Sequence, residues 1–140
     1  MKYGKEQHPD VNFFKGTVDE MSMFEDAKFD LIIVGFVFYV VDRNLLLRAI
    51  SEIDRLLSNN GHLIITDFFS GQPAKKKYHH IEKIEAYSFK QNYEAMFTAS
   101  QLYFLLDKSA YNHNTLLHDS VDFDEMYSVS LLKKDMNVAY

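Results

Sequence analysis

The side chains best suited to acid–base chemistry lie in a basic and aromatic stretch near the middle of the chain. The imidazole groups of His79 and His80 and the phenol groups of Tyr78 and Tyr87 can donate or accept a proton. A general base is needed wherever a nucleophile must lose a proton as it reacts. The same residue types are also typical of a solvated loop, so His79, His80 and Tyr87 are weak catalytic candidates.

The histidines also raise the question of a metal site. His79 and His80 are adjacent, and His113 and His118 lie further along the chain. Adjacent histidine side chains point in different directions, and no His-x₃-His or carboxylate spacing accompanies them. The chain has no cysteine, which excludes thiolate ligands and disulfides. We therefore predict no metal site.

A second group of candidates lies within or after apolar runs. Asp67 stands near the end of a predicted strand, where open α/β sheets bind their ligands. Phe36 and Tyr39 can line a pocket, although aromatic residues in a buried strand usually belong to the core. The run from Lys75 to Lys77 can hold an anionic group or form a solvated loop. We expect Tyr39 and Asp67 to face a substrate.

The elements that position these residues follow from the hydrophobic pattern. Leu31 to Val41 is a continuous apolar run rich in β-branched and aromatic residues, which predicts a strand covered on both faces. Asp42 can cap a helix whose apolar residues recur at steps of three and four from Leu46 to Leu57. Asn59 to Gly61 predicts the turn that ends this helix, and His62 to Phe68 predicts a second buried strand. The order predicts a βαβ unit with parallel strands.

Shorter elements are predicted on both sides of this unit. Val11 to Gly16 predicts a strand, and residues 69–100 change to a basic and aromatic composition that indicates a cap or insertion. Tyr93 to Ser100 predicts a short helix within it. Leu102 to Tyr111 and Met126 to Leu132 predict two further strands, the second antiparallel or at an edge. At 140 residues, the chain fits one domain, 1–140.

In order and spacing, these elements resemble the C-terminal two-thirds of a class I S-adenosylmethionine-dependent methyltransferase. The resemblance is carried by "GTVDEM", "FDLIIVGFVFYVVD", "EIDRLLSNNG", "HLIITDF" and "YSVSLLKKD", and it covers nearly the whole chain. It implies an α/β, partial Rossmann-like fold with a mixed sheet, in which the family's fourth and fifth strands are parallel and a C-terminal hairpin is antiparallel. It also implies methyl transfer from S-adenosylmethionine to an acceptor, for which a small molecule is expected.

The resemblance assigns cofactor positions as well. The family's loop after its third strand contacts adenine, and that loop here contains Thr17, Val18 and Asp19, with threonine at the usual acidic position. Gly35 and Phe36 correspond to the wall beside the methionine part of the cofactor. Glycine permits a close backbone approach there.

The family's glycine-rich turn has no counterpart in this sequence. The five glycines stand at positions 4, 16, 35, 61 and 71, and none forms a Gly-x-Gly pair. The resemblance therefore implies a truncated domain that binds S-adenosylmethionine weakly or not at all by itself. Either the chain is an incomplete or inactive methyltransferase, or it is a degenerate relative that serves as an interaction or dimerisation module.

Composition narrows the range of partners. The net charge of −5 and the isoelectric point near 5.6 argue against nucleic acid. The run Leu31 to Val41 is roughly half of the ~20 residues that a membrane-spanning helix needs, so we expect no membrane insertion. In the family's sheet order, loss of the first two strands would uncover the edge of this run, and we expect a homodimer or higher oligomer to cover it. A chain without cysteine suits a reducing cytoplasm.

Overall fold

The structure, a computed structural model, describes residues 2–78, 85–116 and 125–138. Its elements in chain order are α1 (Lys2–Gln7), β1 (Phe29–Gly35), a 3₁₀ turn (Phe38–Val40), α2 (Leu46–Leu56), β2 (Leu57–Phe68), β3 (Ala74–Lys77), β4 (Tyr87–Lys90), α3 (Glu94–Thr98), β5 (Tyr103–Asn112) and β6 (Met126–Lys134).

The main sheet has the strand order β1-β2-β6-β5. β1 and β2 are parallel, with Val34 opposite Ile65, whereas β6 is antiparallel to both β2 and β5. This mixed α/β sheet with a parallel pair and a C-terminal antiparallel hairpin confirms the fold class expected from the sequence. It also confirms the strands expected at His62–Phe68, Leu102–Tyr111 and Met126–Leu132.

Helix α2 connects the two parallel strands and packs on one face of the sheet. Its buried residues Leu46, Ala49 and Ile53 recur at helical spacing, and they pack in one apolar core that includes Leu63 and Ile65 of β2. The predicted amphipathic helix is therefore confirmed. Asp42 forms a turn ahead of it, because its carboxylate accepts the N–H of Asn44 and its carbonyl accepts that of Leu45.

The apolar run from Leu31 to Val41 is not one strand, which corrects the prediction. β1 ends at Gly35, Phe36 has a φ of 51°, and the 3₁₀ turn follows. Phe38 is nonetheless 1% exposed. Val34 is buried as well, but Leu31 and Ile33 are 51% and 64% exposed, so β1 is not covered on both faces as the sequence predicted. A continuous apolar pattern distinguishes neither a strand from a turn nor a covered face from an exposed one.

Two further local predictions are wrong. Residues 11–16 form no strand, since no strand of the described residues lies beside them to complete a ladder. Asn59 to Gly61 lies within β2 and does not end α2. Asn60 has the left-handed φ of 67° there, and the register between β1 and β2 shifts over the same stretch.

Strands β3 and β4 form a separate two-stranded antiparallel sheet within the stretch 69–100. The hairpin is tied to the segment after the 3₁₀ turn, because the guanidinium of Arg43 lies 4.1 Å from the ring centroid of Phe89. The Tyr93 hydroxyl also donates to the Phe89 carbonyl at 2.8 Å. These contacts hold the small sheet beside the carboxyl end of β1.

No helix among the described residues has the length and apolarity to cross a membrane.

Candidate functional site

A cavity of about 620 Å³ opens where β1 and β2 end. Phe36 directly follows β1, and Phe68 is the last residue of β2. The carboxyl ends of neighbouring parallel strands are the usual place for a ligand in an open α/β sheet. The lining comes from strand ends, the small sheet and the β5–β6 end: Phe36, Tyr39, Phe68, Lys76, Lys77, Tyr78, Ser88, Lys90, His113, Asn114 and Glu125.

Aromatic rings form one wall of the cavity, with Phe68 at their centre. The ring centroid of Phe68 lies 5.4 Å from that of Phe36, 5.0 Å from Tyr39 and 5.4 Å from His113. The rings of Phe36 and Tyr39 meet Phe68 at steep angles of 62° and 70°, as edge-to-face pairs do. The packed rings fix one another's orientation.

The backbone at Phe36 is unusual. A φ of 51° is uncommon for a bulky residue and carries strain, which structures tend to retain at functional positions. The Phe36 N–H donates to the Thr66 carbonyl at 2.7 Å, and this bond continues the ladder between β1 and β2. The left-handed residue then turns the chain out of the sheet.

Asp67 anchors the turn that carries Tyr39. Its carboxyl group is buried and accepts the N–H of Phe38 through Oδ2 and that of Phe68 through Oδ1, both at 2.8 Å. Burial raises the pKa of Asp67 to about 6, and the backbone N–H groups that it accepts oppose the rise. Asp67 lies beneath the 3₁₀ turn and does not line the cavity.

Tyr39 keeps its proton at neutral pH. Burial, and then the hydrogen bond with Tyr78, raise the pKa of Tyr39 to about 12. Its phenol is therefore protonated and does not act as a base.

The charges around the cavity are mostly positive. Lys76, Lys77 and Lys90 line it, and Glu125 is the one carboxylate among the described lining residues. Lys90 is 8% exposed, and its Nζ lies 5.2 Å from the ring centroid of Phe68.

The turn at Thr17, Val18 and Asp19 lies against α2. An isolated bridge joins Thr17 to Glu20, and Val18 packs against the apolar core. The loop that follows is held by Glu52, whose Oε2 accepts the Met21 N–H at 2.9 Å. Hydrogen bonds from Arg55 and from that N–H lower the pKa of Glu52 to about 2, so the anchor is ionised at neutral pH.

The predicted site residues fall into three groups. Phe36 and Tyr39 line the cavity, as does Tyr78. Tyr87 lies on β4 outside the lining, where its hydroxyl donates to Glu85 and Lys75 lies 3.6 Å from its ring centroid. His79 and His80 lie outside the described residues, as does His118. Across 2–78, 85–116 and 125–138, no group of three or more histidine, aspartate or glutamate residues is placed to hold a metal ion.

Sequence reasoning missed several cavity residues: Phe68, Ser88, Lys90, Asn114 and Glu125. It considered His113 only as a metal ligand. These residues come together because β2, β6 and β5 are neighbours, and because the His113 N–H donates to the Glu125 carbonyl at 2.6 Å. No spacing in the sequence signals that pairing.

Part of the sequence matches a known protein family. Residues 1–65 match a family model described as a methyltransferase domain. No curated protein matches the chain in sequence.

Solved structures match the chain over most of its length, at low identity. A 1,6-didemethyltoxoflavin-N1-methyltransferase from Burkholderia thailandensis, with bound 1,6-didemethyltoxoflavin and S-adenosylhomocysteine, is 15% identical over 96% of this chain, with a TM-score of 0.70. A SAM-dependent methyltransferase from Methanosarcina mazei is 12% identical over 87%, with a TM-score of 0.65. The N-methyltransferase NodS from Bradyrhizobium japonicum, in complex with S-adenosylhomocysteine, is 13% identical over 95%, with a TM-score of 0.60.

The chain spans only 55%, 66% and 60% of the length of these three proteins. The cofactor product is named in two of the three matches. Residues 1–65 thus match a methyltransferase family model, and the chain shares the fold of S-adenosylmethionine-dependent methyltransferases.

Proposed function

We propose that this chain holds a small-molecule acceptor for methyl transfer from S-adenosylmethionine. The observation that carries the proposal is the cavity of about 620 Å³ at the carboxyl ends of β1 and β2, in a methyltransferase fold. A volume of this size suits a small molecule. The Burkholderia thailandensis protein has a bound small molecule together with S-adenosylhomocysteine, which supports the same arrangement here.

The cofactor fits this chain on one side only. A Cβ added at Gly35 would meet no atom within 4 Å, so there is open space beside the end of β1. The methionine part of the cofactor would lie beside Gly35 and Phe36. The adenine would lie beside Thr17, Val18 and Asp19. The sequence has no Gly-x-Gly turn to close the other side. When bound, the cofactor supplies a methyl group on a positively charged sulfur.

The residues of this chain act by holding and orienting the acceptor. The packed rings of Phe36, Tyr39 and Phe68 exclude water from their side of the cavity, and alignment of the reacting atoms accounts for much of the rate in displacements of this kind. The protonated Tyr39 phenol lines the cavity and contributes its ring to the wall that holds the acceptor. His113 also lines the cavity and is placed to accept a proton from a protonated nucleophile. His79, His80 and Tyr87 stay candidates for this role on sequence grounds.

Cofactor binding tests this proposal. With half of the family's contacts, we expect S-adenosylhomocysteine to bind with a Kd of about 1 mM or weaker, and to shift the backbone NMR signals of residues 17–19 and 35–36. Gly35→Leu should abolish the shifts, because the side chain fills the open space. Gly71→Leu is the matched control, since a Cβ at Gly71 also meets no atom within 4 Å.

Two results would overturn parts of the proposal. A micromolar Kd for this chain alone would refute the incomplete cofactor site. Shifts at saturation that avoid residues 17–19 and 35–36 would refute the assigned positions. A strand followed by Gly-x-Gly, encoded immediately upstream of this chain, would favour the enzyme over a degenerate module.

A second candidate function is an interaction module, and the free edge of β1 favours it. Among the described residues only β2 pairs with β1, and Leu31 and Ile33 are 51% and 64% exposed. An apolar strand edge invites pairing, and we propose a second copy of the chain as the partner, in a homodimer or higher oligomer. We place this assembly in the cytoplasm, in keeping with the lack of cysteine.

Sedimentation velocity at micromolar concentration tests the oligomer. Ile33→Lys should yield monomers, whereas Leu47→Lys, at an apolar residue of α2 that is 72% exposed, should not. A folded wild-type monomer under these conditions would refute the second candidate.

A further inference from the structure

The charge of the cavity is opposite to that of the chain. The chain has a net charge of −5, yet its cavity is lined by three lysines and one glutamate among the described residues. A local positive field in an acidic protein attracts anions to that spot and repels cations. The methyl donor is itself a cation, so these lysines suit another ligand.

Lys90 is the most informative of the three lysines. It is 8% exposed at the end of β4, and its ammonium lies 5.2 Å from the ring centroid of Phe68. Its ammonium lies at the cavity wall, where it can face an anionic group of a ligand through a charge-assisted hydrogen bond. Lys76 and Lys77 lie on β3, paired with Ser88 and Tyr87 of β4, and are exposed, so they can approach the same ligand from the solvent side.

The aromatic wall constrains the shape of the ligand. The ring of Phe68 contacts the rings of Phe36, Tyr39 and His113, and the cavity lies beside all four rings. Rings fixed in this way favour flat, aromatic molecules, which can stack on ring faces or meet ring edges. Branched aliphatic molecules gain less from such a wall.

We propose that the acceptor is a planar aromatic or heteroaromatic molecule with a carboxylate or similar anionic group. Its ring lies against Phe36 and Phe68, and its anion faces Lys90 and Lys77. This inference rests on the proposed function, because it assigns a substrate class to the same cavity.

Three probes separate the contribution of a planar ring to binding from the contribution of a negative charge. 2-Naphthoate is planar and anionic, 2-naphthamide is planar and neutral, and cyclohexanecarboxylate is anionic and not planar. The fluorescence anisotropy of 2-naphthoate gives its Kd on the full chain, and displacement gives the other two. We expect 2-naphthoate to bind at least about tenfold more tightly than either comparison probe, the size of a charged hydrogen bond or a lost aromatic contact.

Variants then assign the selectivity to residues. Lys90→Met should reduce the preference for 2-naphthoate over 2-naphthamide about tenfold, and Lys77→Gln should reduce the same preference about threefold. Phe36→Leu should instead reduce the preference for 2-naphthoate over cyclohexanecarboxylate. Lys28→Gln, at an exposed lysine outside the cavity, should change neither ratio. Each ratio is measured on one protein sample, so partial unfolding of a variant does not alter it.

The results distinguish this inference from the proposed function. If 2-naphthamide binds as tightly as 2-naphthoate, or if neither lysine variant changes their ratio, the inference is overturned, whatever the cofactor does. If the probes follow the expected order while the shifts at S-adenosylhomocysteine saturation avoid residues 17–19 and 35–36, the preference of the cavity for planar anions stands and the assigned cofactor positions fail.

Discussion

Replacing Asp67 by asparagine tests whether burial controls proton binding beneath the 3₁₀ turn. The carboxyl is 2% exposed, and burial raises its pKa from the ordinary 3.8 to about 6. The folded protein therefore binds this proton more tightly than the unfolded chain does. Stability from this group is fully present below pH 4 and declines as the pH rises towards and past 6.

The size of the effect follows from the shift in pKa. A shift of about two units corresponds to about 3 kcal/mol at most, and about 2 kcal/mol of this falls between about pH 4.5 and pH 7.5. Asparagine has nearly the same shape and cannot titrate. The free energy of unfolding of the wild type, minus that of Asp67→Asn, should therefore fall by about 2 kcal/mol over that range.

Urea denaturation at a series of pH values measures this difference. Carboxyl groups with lowered pKa values, such as Glu52, lose stability on acidification in both proteins, so they cancel. Asp10→Asn removes an exposed carboxylate and controls for the change in net charge. A difference that stays flat, or that increases with pH, would refute the account of Asp67.

Two further substitutions test the packing around the site. Lys108→Met leaves the buried carboxylate of Glu94 without its ion-pair partner, so the free energy of unfolding in urea should fall by about 3 to 5 kcal/mol. Adding Glu94→Gln to the same protein should recover part of this loss. No recovery would contradict a buried charge as the cause. Gln101→Gly should raise stability by about 1 kcal/mol, because Gln101 is exposed with a left-handed φ of 62° between α3 and β5. Thermal unfolding should then show a higher Tm, and a lower one would mean that the Gln101 side chain stabilises the turn.

The sequence predicted the elements whose pattern is local. Helix α2 repeats apolar residues at helical spacing, and β2 follows it as a short buried run, so both were found. The end of β1 was not found, because the break depends on Asp67, whose carboxyl binds Phe38 from 29 positions away. A contact so distant leaves no trace in the periodicity of either segment.

The candidate site was predicted only in part, for a similar reason. Phe36 and Tyr39 lie in one apolar run and were noticed together. Phe68, His113 and Glu125 join them only through the register of β2, β6 and β5, which places Phe68 opposite Tyr127 and Asn112 opposite Met126. Strand register over such separations is decided by the packed sheet as a whole and not by any short motif.

The position of β6 has a consequence for how the protein forms. β6 is the last of the described strands in the chain, yet it lies between β2 and β5 and pairs antiparallel with both of them. During synthesis β5 emerges before its partner strand β6. It can pair in the main sheet only after β6, which ends at Lys134, has left the ribosome. A ribosome that stalls, or a stop codon that falls, before β6 therefore leaves β1 paired with β2 alone and β5 as a single strand without a partner in the main sheet.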